Sequence, residues 1–500
     1  MGIVVRESIK SSVGYYLGVA LGAINTLYIS TNFLETDQLA TSRLLLENGL
    51  LFAAFTHLGA PNICDRYLAK YKDKDSQNHG FLLFLLLIGL LGIIIYSFVF
   101  YFFYDKIESY YAQKSPSVAQ NLMFSLPITI IWSYNLILEV YIRGHQRIAI
   151  PIFLRETVFR FLNILLIILV GLKVINFSEF LFLFVGTMFL ITIALTVYTW
   201  KLGYLYLSPK YFKIPKDEIK QMFAYGSFLI LGGIGGNLVL FLDRNILAGE
   251  VGTTAVAVFV VASYLASVVE IPAKSIKQIS TPLLSQSVLN GLHEKTYELY
   301  TKVAHNAMLL GGILFVIICT NLENLLSIMP KATIYQQGFW VIVIIGACKW
   351  VDMSLGLNVE MIAFSKYFKF NTYLVLILAV LAIFLNYLLI PYFGLFGSAM
   401  ATGMITLLSG GTRLLFVKKK FGLHPFTVNT LKGIVVLLIC LIIGNLIPNK
   451  GTSFFIILLI ISVKSIIVGS IFIFLILKMK VSEDFEKLKN TVLHQLKSMM

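Results

Sequence analysis

The sequence predicts an all-α, polytopic membrane protein with about 14 transmembrane helices, and three observations carry that expectation. Of 500 residues, 58% are hydrophobic and only 13% charged, with a mean hydropathy of +0.84. A water-soluble chain of this length cannot hide so much apolar surface, because its exterior must be largely polar. The apolar residues come in runs of the roughly 20 that a helix needs to cross the hydrocarbon core. Lys and Arg, finally, collect in every other loop between those runs.

The runs lie at 11–33, 39–65, 80–104, 117–142, 150–172, 177–200, 219–242, 253–284, 300–320, 336–365, 371–390, 394–417, 430–447 and 453–477. One set of loops holds Arg6 and Lys10, then Arg66, Lys70, Lys72 and Lys74, then Arg143 and Arg147. It continues with Lys201, Lys210, Lys213, Lys216 and Lys220, then Lys295 and Lys302, Lys366 and Lys369, and Lys418 to Lys420. The alternating loops carry only scattered cations: Lys106, Lys114, Lys173, Arg244, Lys331 and Lys450. Both termini are therefore expected in the cytoplasm, which requires an even number of spans. The net charge of +15 is topological and does not call for nucleic acid. The first residues lack the short apolar core and cleavage site of a secretory signal. The tail KMKVSEDFEKLKNTVLHQLKSMM reads as a short amphipathic helix on the anionic inner leaflet. The longest loop, 201–218, is too short to fold into a catalytic domain. Cys64, Cys319, Cys348 and Cys440 have no paired spacing and read as core packing, not as a disulfide framework or metal site.

FLNILLIILVGL (161–172) and FLNYLLIPYFGL (384–395) match at eight of twelve positions. Six spans separate them, so the two halves would share one orientation, a repeat design known among secondary transporters. Each segment follows a helix with an acidic residue, Glu139 or Glu360, and a short basic turn, RGHQR or SKYFK.

Charges inside spanning helices are costly and point to protein or water rather than lipid. At helical spacing, Lys349, Asp352, Gly356 and Glu360 share one stripe of the tenth span. Ser263, Ser267, Glu270, Lys274, Lys277 and Thr281 do so in the eighth, beside an expected kink at Pro272. Arg43, Glu47 and His57 are co-facial in the second span, and Glu156, Arg160 and Asn163 in the fifth, with Arg155 adjacent. The fourth contributes Asn135 and Glu139, and Lys464 stands alone in the fourteenth, where its stem of about 6 Å is too short to reach water from mid-bilayer. Lys349–Asp352 and Arg43–Glu47 are equally spaced for plain intrahelical ion pairs, and His57 for a packed histidine. A shared water-filled cavity accounts for all the stripes together. Its cations suit a phosphate or pyrophosphate, and its carboxylates suit a coupling proton or sodium ion. No GxxxxGK[ST] loop for ATP and no HExxH or paired-cysteine metal site occurs. No cofactor and no enzymatic activity are expected.

SIKSSVGYYLGVALGAINTLYIS, HLGAPNICDRYLAKYKD, RGHQRIAIPIF, DRNILAGEVGTTAVAVFVVASYL and NYLLIPYFGLFGSAMAT together give the chain a family likeness. It resembles the polysaccharide (O-antigen type) flippases of the multidrug/oligosaccharidyl-lipid/polysaccharide exporter superfamily. The resemblance implies two six-helix lobes in a V-shaped arrangement, here 1–205 and 206–425. Two additional helices (426–478) and a cytoplasmic amphipathic tail (479–500) would follow. Fourteen spans are also similar to the peptidoglycan-precursor flippases, whose last two helices help form a lipid-facing groove. The family's activity is the transfer of undecaprenyl-pyrophosphate-linked oligosaccharide across the bacterial inner membrane by alternating access, for surface polysaccharide such as lipopolysaccharide. A monomer served by membrane lipids, an H+ or Na+ coupling ion and polysaccharide polymerase machinery is implied as well. Family cavities carry basic residues on the first, second, seventh and eighth spans. Here the first span offers only Asn25 and Asn32, and the seventh has Arg244 only at its outer end. The expected substrate cations are therefore Arg43, Arg155, Arg160, Lys274, Lys277, Lys349 and Lys464. Glu47, Glu139, Glu270, Asp352 and Glu360 are the cavity or coupling acids, and Asn25 and Asn135 the polar lining. A cation-coupled exporter of drugs or metabolites and a membrane-embedded polymerase or glycosyltransferase are the other readings of the same residues.

Overall fold

The computed structural model describes residues 3–73, 75–449, 451, 453–487 and 489–490, and among these the regular structure is helical throughout. Two compact units are present: Met1–Ala257 with Val375–Gly394, and Val258–Leu374 with Leu395–Met500.

In the first unit, α1 (Ile3–Ile24) passes through a π-helical turn (Asn25–Ile29) into α2 (Ser30–Phe33). α3 (Thr36–Thr56) starts at a reciprocal cap between Glu35 and Gln38, which satisfies amide groups the first turn cannot use. It stops at His57, where Leu58 and Gly59 take φ of 44° and 77°, and α4 (Ala60–Tyr71) leaves in a new direction. The run expected at 39–65 is thus two helices. A Cβ at Gly59 would stand 2.8 Å from the Cα of Gly226, so the turn requires glycine on steric grounds as well. α5 (Phe81–Ala112), α6 (Pro116–Asn121) and α7 (Ser125–Gly144) follow. α8 (Ala149–Ile152), a second π-helical turn (Phe153–Val158) and α9 (Phe159–Gly171) make one continuous run. Next come α10 (Phe177–Lys201), α11 (Lys216–Glu250) and the first residues of α12 (Thr253–Ser267). The core of this unit sets Ile63, Cys64, Phe81, Leu85, Ile137 and Tyr141 together, all nearly inaccessible.

α1 lies close against the second π turn. A Cβ at Gly18 would come within 2.7 Å of the carbonyl oxygen of Glu156. Small residues four apart allow such an approach between membrane helices. The contact is polar as well: Thr157 donates to the carbonyl of Gly14 at 3.0 Å and Arg160 to that of Gly18 at 2.8 Å.

In the second unit, α12 ends in a 3-10 turn (Val268–Glu270), and α13 (Ile271–Leu289) starts with Pro272 in its first turn, where a missing N–H costs nothing. α14 (His293–Ser327), α15 (Ala332–Tyr335) and α16 (Phe339–Met353) follow. The helix expected at 336–365 does not continue. α16 stops at Met353, Gly356 takes φ of 72°, and the short α17 (Asn358–Ala363) begins after it. A Cβ at Gly356 would meet that of Ala304 at 2.9 Å, and Tyr300 donates to Asn358 Oδ1 at 2.5 Å, which anchors the break. α18 (Lys369–Phe421), whose residues 375–394 belong to the first unit, is interrupted by Gly394, with φ 53° and ψ −127°. α19 (Val428–Leu446) and α20 (Phe454–Lys478) complete the unit. Gly171 and Gly394, paired in the sequence repeat, both mark places where a helix gives out.

Among the described residues, 11 helical stretches are long and apolar enough to cross a membrane. α18 is one of them and becomes two at Gly394. α3 and the run from α8 to α9 are of spanning length but carry Arg43, Glu47 and Asn48, and Arg155, Glu156 and Arg160. Counted together they answer the 14 expected spans one for one. The chain is a multi-pass membrane protein. The two contact units divide it differently from the expected lobes at 1–205 and 206–425, because α11 packs on α3 and α4 and residues 375–394 lie with the first unit. All four cysteines are free, and Cys64 and Cys440 are buried in the two cores.

Of the expected amphipathic tail, residues 491–500 lie outside the described ones. The part before them docks on α14. His305 Nε2 lies 2.9 Å from the carbonyl of Val481, and Asp484 contacts Lys302 at 2.9 Å and Asn306 at 2.7 Å. Burial would raise the Asp484 carboxyl, but the hydrogen bonds from Lys302 and Asn306 outweigh it and hold it below the ordinary carboxylate range. A carboxyl depressed in the folded state stabilises docking above its unfolded value of about 3.9 and ceases to do so as pH falls through the folded one.

Two outcomes follow. Gly18→Leu lowers the thermal unfolding temperature of the purified protein, by the equivalent of about 1–3 kcal/mol for overpacking, whereas Gly186→Leu, with nothing within 4 Å of its Cβ, leaves it unchanged. Hydrogen exchange over residues 481–487, corrected for its intrinsic pH dependence, stays slow at neutral pH and accelerates below about pH 4. Asp484→Asn makes it fast at neutral pH.

Candidate functional site

Among the described residues, most charged side chains inside the spanning helices form three groups, each inside one unit. In the first, Glu47 on α3 is 1% exposed, and its Oε1 accepts from Arg43 Nε at 2.8 Å and from Arg244 of α11. Arg43 and Glu47 are one turn apart, so helix geometry alone brings them together. Arg244 is what sequence reasoning set aside, as a residue at the outer end of a run closing at 242. α11 instead continues to Glu250, which puts Arg244 and the buried Asp243 inside the protein. Asp243 Oδ1 accepts the backbone N–H of Arg244 at 2.8 Å. Glu47 Oε2 has no hydrogen-bond partner among the described residues. The residues that follow Glu47 and Arg244, Asn48 and Asn245, line an apolar pocket of about 640 Å³ with Phe52, Phe100, Tyr110 and Leu238. His57 belongs to the end of α3 instead, where its Nδ1 accepts from the N–H of Gly59 at 3.1 Å.

The second group is a chain of alternating charge on α7 and the α8–α9 run. Arg155 bonds Glu139 at 2.5 Å and Glu156 at 3.1 Å, and Arg160 closes on the other oxygen of Glu156 at 2.7 Å. The π-helical turn over Phe153–Val158 widens the helix here and lets consecutive residues, Arg155 and Glu156, enter one network. The α-helical stripe of Glu156, Arg160 and Asn163 is thus only part of the arrangement. Asn135, one turn before Glu139, is buried with its Oδ1 unpartnered among the described residues. Asn25 opens the first π turn and accepts from Ser30 Oγ at 3.2 Å.

The third group lies in the second unit. Lys349 on α16 does not pair with Asp352, one turn away, but reaches Glu270 at 2.8 Å. Lys274 approaches the second oxygen of Glu270 at 3.3 Å, and Lys277 approaches Glu360 at 3.9 Å. The two helix breaks make this possible. The 3-10 turn sets Glu270 before α13, and the interruption at Gly356 lets Glu360 leave the axis of α16, so the single stripe expected along 336–365 is replaced by contacts between helices. Asp352 faces α18, where a Cβ on Gly410 would come within 2.6 Å of Oδ1. Arg413 of α18, which sequence reasoning passed over, is within electrostatic reach of Asp352 and Glu360 and bonds Asn371 Oδ1 at 3.2 Å and Ser409. Its place near the end of an apolar run, five residues before Lys418 to Lys420, gave it the look of a loop cation.

Lys464 joins none of these groups. It is 0% exposed, and its amine donates to the carbonyl of Ile447 at 3.1 Å and to Asn449 Oδ1 at 2.7 Å. The expectation that it lines a cavity does not fit, because the loop after α19 already supplies the polar partners it needs.

The first two groups balance their charges, and the third sets Lys274, Lys277, Lys349 and Arg413 against Glu270, Asp352 and Glu360. The Lys274 side chain is 58% exposed and that of Arg43 40%, so both can turn to an anion, while Lys349 and Glu270 are largely covered. Charge-assisted hydrogen bonds to a phosphate are within the means of this set.

Removing one partner of a buried pair leaves the other charge uncompensated. Glu47→Ala therefore lowers stability by about 3 kcal/mol or more in thermal unfolding. Glu47→Leu combined with Arg244→Met recovers most of that loss.

A family model described as polysaccharide biosynthesis protein matches residues 4–288. No curated protein sequence matches the chain. Among solved structures, the fold is similar to that of the lipid II flippase MurJ in an inward closed conformation, with a TM-score of 0.70 at 14% identity over 94% of this chain and 98% of that one. It is also similar to an inward-facing multidrug resistance MATE family transporter of the MOP superfamily, with a TM-score of 0.66 at 14% identity over 84% of this chain and 98% of that one. A MOP superfamily transporter from Pyrococcus furiosus, described as having a binding pocket of reverse polarity, gives 0.57 at 14% identity over 84% and 95%. At such identities the likeness is one of fold.

Proposed function

The chain belongs to the polysaccharide biosynthesis protein family, and from that premise we propose that it is a flippase for undecaprenyl-pyrophosphate-linked oligosaccharide. It works by alternating access in the bacterial inner membrane, with both termini in the cytoplasm, and serves surface polysaccharide such as lipopolysaccharide. The observation that carries this reading is the similarity in fold to a lipid II flippase across 94% of the chain. The similar MATE structures cover 84%, a difference in keeping with a chain that has α19 and α20 beyond a twelve-helix plan. In this reading 1–205 and 206–425 are the two six-helix lobes, and 426–478 adds the last pair.

Lys274, Lys277 and Lys349, together with Arg413, bind the pyrophosphate, since their group carries the excess of cations. Arg43, Arg155 and Arg160 take part through the groups of the first unit. Glu47, Glu139, Glu270, Asp352 and Glu360 hold these cations in place or take up a coupling H+ or Na+, and Asn25 and Asn135 contact sugar. Lys464 is left out and given to the packing of α19 against α20. The flippase acts as a monomer beside polysaccharide polymerase machinery and needs no cofactor. A second reading, a cation-coupled exporter of drugs or metabolites, draws on the buried carboxylate oxygens of Glu47 and Glu360 that lack a hydrogen-bond partner among the described residues.

In proteoliposomes, transfer of a polyprenyl-pyrophosphate oligosaccharide falls about tenfold or more in Lys274→Ala/Lys349→Ala, as the loss of charged hydrogen bonds requires. Full restoration of surface glycan to a deletion strain by that variant would overturn the assignment. Ion-driven drug efflux without lipid transfer would select the second reading.

A further inference from the structure

In the second unit, the turn from α13 to α14 encloses a pocket of about 310 Å³ that none of the three charged groups uses. Its lining combines Leu283, Leu292 and Leu299 with Gln286, Asn290, Lys295 and Lys302, and includes one carboxylate, that of Glu298. On the same helix, Ile279 and Leu289 stand 74% and 72% exposed, and Leu283 of the pocket 56%. The pocket therefore lies where exposed leucine gives way to lysine, which is the arrangement of a hydrocarbon–headgroup boundary. Lysines at such a boundary attract anionic lipid.

The C-terminal segment bears on this pocket. Lys302, one of its two lysines, is held at 2.9 Å by Asp484 Oδ1, while Asp484 Oδ2 accepts from Asn306 at 2.7 Å. A carboxylate of the chain thus occupies one of the two cations that a phosphate seated in the pocket would use. The lysines alone would suit any phosphate. The leucines beside them favour one attached to an acyl glycerol, because a free phosphate gains nothing from an apolar wall.

We propose that the α13–α14 pocket binds the phosphate headgroup of an anionic phospholipid, and that Asp484 competes with that headgroup for Lys302. The C-terminal segment is then released from α14 as the lipid enters. The site rests only on the chain's embedding in a membrane, so it stands or falls separately from the transported cargo.

The test uses the full chain in nanodiscs containing phosphatidylglycerol and phosphatidylcholine in equal amounts, with retained lipid counted by native mass spectrometry. Phosphatidylglycerol is retained in preference, and Lys295→Gln/Lys302→Gln reduces its retention about tenfold or more. Asp484→Asn increases retention, because it frees Lys302 without removing it. Since the two changes act in opposite directions, a general loss of folding cannot imitate both. Equal retention of the two lipids would overturn the proposal. So would a loss in Asp484→Asn as large as in the lysine variant, which would make the contact one of tail docking only. Displacement of the lipid by millimolar inorganic phosphate would assign the pocket to free phosphate instead.

Discussion

Hydrocarbon does not solvate charge, and the interior of this protein is arranged around that constraint. Glu47 is almost inaccessible, and it is tolerable there because Arg43 and Arg244 both close on one of its oxygens. Glu139, Arg155, Glu156 and Arg160 meet the same demand as an alternating chain, and Glu270 does so between Lys274 and Lys349. Even the fully buried Lys464 finds a carbonyl and an amide oxygen. A buried ion pair adds little net stability, because desolvation offsets most of the attraction.

Bringing these charges together required the helices to depart from regularity. A straight α-helix distributes consecutive residues at fixed angles, so charges from one helix can share a stripe but cannot regroup. Here the π turn over Phe153–Val158 admits two neighbours to one network. The 3-10 turn before α13 and the left-handed Gly356 free Glu270 and Glu360 from the axes of their helices. Backbone groups released by such breaks need new partners when water is absent. Beside the Gly356 break, the side chain of Asn358 accepts from the buried Tyr300. Irregular backbone in this chain thus sits beside the charged groups.

The same logic extends to the ends of the helices. The segment after α20 is tied to α14 through Asp484, Asn306 and Lys302, and Phe485 rests on Phe472 with ring centroids 6.1 Å apart. The sequence reading placed this stretch on the surface of the inner leaflet, since its lysines and apolar residues alternate like those of an interfacial helix. It could not register that α14 offers a matching row of Lys302, His305 and Asn306 on the facing side. Whether a polar segment lies on lipid or on protein depends on a surface contributed by residues some 180 positions earlier in the chain.

By itself the sequence determined that the chain crosses a membrane, in helices, and about where the crossing segments lie. It also determined which residues put charge where hydrocarbon should be. Those properties are local, written in the hydropathy of about 20 consecutive residues at a time. The tertiary structure decided which charges meet between helices. Lys349 goes to Glu270 although Asp352 is one turn away, Arg244 is drawn inside by an α11 longer than its apolar run, and Arg413 is brought up to Asp352 by the packing of α18. Lys464, placed by sequence among the cavity cations, is taken by the loop that follows α19. The reason is geometric. An ion pair between helices depends on their mutual rotation and on where each is broken, and both are set by packing against the other helices of the unit.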